Sequence, residues 1–141
     1  MSKLLQRLSD ASKSGLYRVS TAEAVNEATR GSALRVWQID LRGMKDKAGL
    51  LAQVASALRF PAWFGGNWDA LEDCLTDLSW SDAGGHVLLL EGAGAIPADE
   101  RGIFCDVLAS AAQFWAGRGR PFFAVFVGGE AQLPELYRER R

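Results

Sequence analysis

Residues 86–91 read HVLLLE, with four apolar residues in an unbroken run. That is the pattern of a strand covered on both faces, not of one alternating between core and water. Residues 122–127, FFAVFV, repeat it, and residues 34–41, LRVWQIDL, add β-branched and aromatic strand formers. Helical periods lie between these runs. In residues 45–58, Leu51, Val54, Ala55 and Leu58 recur at i, i+3, i+4 and i+7, and in residues 97–115, Phe104, Leu108, Ala111 and Trp115 recur at i, i+4, i+7 and i+11. A further helix is predicted from Trp68 to about Leu78, capped by Asn67 and apolar along Leu71, Cys74, Leu75 and Leu78. Strands this apolar, separated by helices, must pair in parallel through helical crossovers. The expectation is an α/β protein, a three-layer α/β/α sandwich around a small three-stranded parallel sheet.

The 141 residues suit a single core, and 48% hydrophobic with 23% charged residues excludes a disordered or low-complexity chain. Sixteen Lys and Arg against seventeen Asp and Glu leave a formal net charge of −1, so no global basic field draws nucleic acid. Any electrostatic function must be local. Cys74 and Cys105 match neither a C-x-x-C motif nor a zinc-type spacing, and each sits in an apolar helical pattern as a reduced core residue would. The first 17 residues hold no apolar run of signal-peptide type, and no stretch approaches the ~20 apolar residues of a membrane helix. A cytoplasmic protein without membrane contact, cofactor or metal is expected. Residues 1–32 read as an N-terminal extension with a short helix near Thr21–Arg30, residues 33–128 as the main domain, and residues 129–141 as a tail helical around Leu133–Arg138.

The predicted helix after Asn67 carries the most unusual chemistry. Asp69, Asp73 and Asp77 fall at i, i+4 and i+8 with Glu72 beside them, and no Lys or Arg lies between Phe60 and Gly85. Like charges at this spacing cost a helix roughly 0.2–0.5 kcal/mol per pair, so the stripe suggests a partner that brings positive charge. A solvated helix face is the plainer reading. Trp63, Phe64 and Trp68 stand beside a glycine-rich turn just before the acids; Phe64 reads as a core plug, while tryptophan at an acidic rim suits an anchored, charge-complementary interface. Two other classes stay open. Asp69 with Asp73, or Glu72 with Asp73, could form a carboxylate pair for acid–base or metal-dependent catalysis, although no nucleophile motif or phosphate loop accompanies them. A generic protein-interaction module is the other. The sole histidine, His86, begins a strand and reads as a structural or surface residue.

The string FPAWFGGNWDALEDCLTDL, residues 60–78, resembles the signature of the barstar family, small intracellular inhibitors of secreted bacterial ribonucleases. Pro61, Trp63, Phe64, Gly65, Asn67, Asp69, Ala70, Leu71, Asp73 and Leu75 all fall in place, and a looser likeness runs from Leu34 to Val127. The resemblance implies a barstar-like domain over residues 33–128, an antitoxin or immunity role, and no catalysis. The implied partner is a basic secreted, barnase-like ribonuclease or related toxin, whose active site is plugged by the aromatic loop and acidic helix. Asp73 matches the aspartate that enters the enzyme's phosphate-binding site, Asp69 one that pairs with a basic residue, and Trp63 a tyrosine lying over the catalytic histidine. Partner-binding residues are therefore Trp63, Gly65, Asn67, Asp69, Glu72, Asp73 and Asp77. The chain departs from the pattern where Glu72 replaces a tryptophan, Gly66 an acid and Asp77-Leu78 a Gly-Trp pair, and where Gln113 supplies no later carboxylate.

Overall fold

The apolar runs do become the middle of a parallel sheet. A computed structural model describes residues 2–128 and 132–137 of the chain. Its strands are β1 (Gly15–Val19), β2 (Leu34–Asp40), β3 (Gly85–Glu91) and β4 (Phe122–Val127), ordered β1-β4-β3-β2 with every neighbouring pair parallel. The sheet thus has four strands, which corrects the expected three. The added strand, GLYRV, pairs Gly15 with Phe123 and Val19 with Val127. Its glycine, its arginine and its partly exposed residues give no continuous apolar run, because an edge strand is not covered all round.

The helices are α1 (Lys3–Leu8), α2 (Glu23–Thr29), α3 (Lys47–Leu58), α4 (Trp68–Leu75) and α5 (Ala98–Ala116). Side chains alternate across the sheet and so build two separate cores. On one face Ile39, Leu88, Leu90, Ala124 and Phe126 pack with Leu51, Val54, Leu71, Leu75, Phe104 and Leu108 from α3, α4 and α5. On the other, Val87, Leu89, Phe123 and Val125 meet Leu4, Leu8 and Val25 from α1 and α2, together with Leu136. The N-terminal residues therefore supply both a strand and much of the second helical layer.

The tail differs from expectation. Around Leu133–Tyr137 no helix forms; the Arg18 amide donates to Pro134 O and the Leu136 amide to Arg18 O, both at 2.9 Å, so this stretch runs along the outer edge of β1. A sheet edge left with unpaired amides is satisfied better by an extended segment than by a helix. Arg138, the last residue of the expected helix, lies outside the described residues. No helix among the described residues is long and apolar enough to cross a membrane.

Candidate functional site

The loop before α4 is built from its glycine-rich, aromatic composition. Arg59 adopts a left-handed conformation (φ 56°) that ends α3, and the Phe60 amide donates back to Ala55 O at 2.9 Å. Phe60 then meets Phe64 edge-on at 5.0 Å and Trp80 at 6.0 Å between ring centroids. Trp80 locks the cluster, since its indole N–H donates to Leu58 O at 2.9 Å. With Phe64 turned inward, the adjacent Trp63 is directed outward and is 58% exposed. Gly65 is exposed, and a Cβ there would make only ordinary contacts with Asn67 and Ala70. Gly66 turns the chain at φ +70°, a conformation that costs other residues roughly 1–2 kcal/mol.

Asn67 starts α4: its side-chain Oδ1 accepts the Ala70 amide at 2.7 Å, so it caps the helix as its position suggests. The buried side of α4 is Leu71, Cys74 and Leu75, and Trp68 is half-buried with the Lys47 ammonium 5.9 Å from its ring centroid. Asp69 and Asp73 are exposed, one turn apart, and neither has an ion-pair partner among the described residues. The helix ends at Leu75, short of the expected Leu78, because Thr76 Oγ1 donates to Glu72 O at 2.8 Å and Leu78 turns left-handed (φ 46°) to bury its side chain. Asp77 therefore lies in a turn beyond the helix, where it accepts the Ser79 hydroxyl at 3.1 Å. Glu72 is half-buried on the flank toward α5 and accepts the Ser110 hydroxyl at 3.1 Å.

Two buried groups have shifted pKa values, Cys74 on the inner side of α4 and His86 in β3. Burial pushes the Cys74 thiol up to about 11, helped by the Asp77 and Asp73 carboxylates, so it remains a protonated core residue. His86 is 3% exposed and accepts the Trp37 indole N–H on Nδ1 at 3.0 Å; burial, with Arg120 and Arg35 nearby, pushes it down to about 4. Sequence reasoning missed the anchors Ser110 and Trp80, which carry no local signal. It also missed Arg35, which was legible: Arg35 and Trp37 are two apart in a strand and share a face.

Fold and surface together define an α/β protein that holds a short acidic helix and an aromatic bend rigidly toward solvent. The family model described as Barstar (barnase inhibitor) matches residues 34–127, about two thirds of the chain, and the protein belongs to the barstar family, a family of non-enzymatic inhibitors. No curated protein matches the chain in sequence. Among solved structures, the crystal structure of Cdc6p from Pyrobaculum aerophilum is similar in fold, with a TM-score of 0.53 at 17% identity over 84% of this chain. This chain spans only 33% of that one, and at this identity the likeness concerns the fold alone.

Proposed function

We propose that this protein inhibits a basic ribonuclease by occupying its active site with α4 and the preceding loop. The observation that carries the reading is the pair Asp69 and Asp73, exposed, one turn apart and without a cationic partner among the described residues, on a helix fixed by Asn67. A ribonuclease must hold a polyanion with Arg and Lys, and carboxylates at helical spacing imitate that charge. Asp73 enters the phosphate-binding site, Asp69 pairs with a second cation, and Trp63 covers the catalytic histidine. Gly65 admits close approach of the partner, Asn67 keeps α4 in register, and Asp77 extends the negative rim. Glu72 contributes to the same surface from its flank. The setting is the bacterial cytoplasm, where such an inhibitor protects the cell from its own secreted enzyme.

Calorimetry and stopped-flow association with a basic barnase-like ribonuclease test the reading. Asp73→Ala should weaken capture by about 2–5 kcal/mol, the general range for a desolvated interfacial charge, to which the barnase–barstar pair itself contributed. Association should slow steeply with salt. Unchanged affinity in Asp69→Ala/Asp73→Ala, or turnover of RNA by the chain alone, would overturn the proposal.

A further inference from the structure

At the opposite end of the sheet from the start of α4, a row of rings is capped by arginines. Trp37 stacks on His86 at 6.1 Å, His86 meets Trp115 at 6.3 Å, and Trp115 meets Phe114 edge-on at 5.1 Å between centroids. Over this wall lie Arg35 on Trp37 (4.3 Å), Arg120 on Trp115 (5.3 Å) and Arg118 on Phe114 (3.9 Å). None of the three guanidinium groups pairs with a carboxylate among the described residues; Arg120 donates to the Ala83 carbonyl. A guanidinium laid over a ring keeps donors at its edge for a carboxylate or phosphate.

We propose that this arginine rim pairs two copies of the chain, its occupant being the acidic surface of α4 on the second copy. The rim meets the C-terminal end of α4, because the Trp115 indole N–H donates to the carbonyl of Leu75, the last residue of α4, at 2.8 Å. The whole chain is nearly neutral, at −1, yet among the described residues Asp69, Asp73 and Asp77 have no ion-pair partner at α4 and the turn after it, and Arg35, Arg118 and Arg120 have none at the rim. An acidic patch beside a basic one is self-complementary about a two-fold axis, where each patch meets the other's opposite and the assembly closes. Low net charge favours such association. Single-stranded nucleic acid fits less well: Trp37 and Trp115 are only 4% and 7% exposed, so neither offers bases a ring face to stack on, and the acids of α4 repel phosphate. Pairing covers α4, so a second copy and a nuclease compete for it; this consequence alone rests on the inhibitor reading.

Sedimentation velocity of the full chain across salt concentrations tests the proposal. A dimer is expected at low salt that dissociates at high salt, and Arg118→Glu or Asp73→Lys alone should each weaken it about tenfold or more. Mixing the two single variants, or combining both changes in one chain, should restore pairing through reversed charges, with unfolding curves confirming that each variant folds. A monomeric wild type at low salt, or a dimer indifferent to both single changes, overturns the proposal. So does labelled single-stranded RNA bound by the wild type and released by Arg118→Glu, which assigns the rim to a polyanion. A dimer that persists while nuclease capture fails refutes only the inhibitor reading.

Discussion

The Ser110 hydroxyl donates a hydrogen bond to the Glu72 carboxylate at 3.1 Å, fastening the middle of α5 to the flank of α4. This bond ties one of the helix's three acids into the fold and leaves Asp69 and Asp73 on the outer surface. Glu72→Ala should therefore cost about 0.5–1.5 kcal/mol of stability in urea unfolding, the net worth of one hydrogen bond. Nuclease association should change far less than with Asp73→Ala. Equal losses of binding for both variants would make Glu72 as strong a contact as Asp73 rather than a flanking one.

Asn67 closes the first turn of α4 through the Ala70 amide at 2.7 Å. Asn67→Ala removes that acceptor and should lower stability by about 1 kcal/mol, seen as a fall in Tm. Asn67→Asp keeps an acceptor and adds a charge that the helix N-terminus favours, so it should retain most of the stability. If both variants melt alike, the cap contributes nothing.

His86 makes stability depend on acid. Its pKa falls from the ordinary 6.5 to about 4 on folding, because burial disfavours the imidazolium and Arg120 and Arg35 repel it. The unfolded chain then binds the proton more readily, so stability present above pH 6.5 is lost as pH falls toward 4. Over that window the loss should reach about 3 kcal/mol. Protonation also ends the Trp37 indole bond to Nδ1. Urea titrations should show a steeper fall over this interval in wild type than in His86→Gln, and parallel profiles would remove His86 as the cause.

Residues 3–29 supply β1, α1 and α2, and Leu4, Leu8, Val19 and Val25 complete the second core. Removing residues 1–32 would bare Val87, Leu89, Phe123 and Val125 on the far face of the sheet. The shortened chain should aggregate or unfold, as judged by size-exclusion chromatography and loss of cooperative melting. A soluble, cooperatively folding 33–141 fragment would make the N-terminal segment a dispensable extension.

The central strands, the long helices and the α4 cap were legible because each rests on local pattern. HVLLLE and FFAVFV need cover on both faces wherever they pair, Asn67 can cap only the helix directly after it, and the loop of Trp63 and Phe64 announces itself by composition. β1 was not legible. Its residues are half-exposed at a sheet edge, and the partner that makes GLYRV a strand lies more than 100 residues away in β4. The tail was misread for a similar reason: Leu133–Tyr137 answers to the open amides of β1, which no nearby residue signals.

The sequence by itself determined the chemistry on offer: a parallel α/β core, an aromatic bend, and an acid-rich helix without a neighbouring cation. Tertiary structure alone decided which acids face outward, that Glu72 is tied to Ser110 and Asp77 sits beyond the helix, and that Arg35, Arg118 and Arg120 gather on one wall of rings. The reason is physical. Periodicity along a chain fixes the face a residue takes on its own helix or strand, whereas a hydrogen bond or a stacked cation depends on which distant segment folding sets against that face.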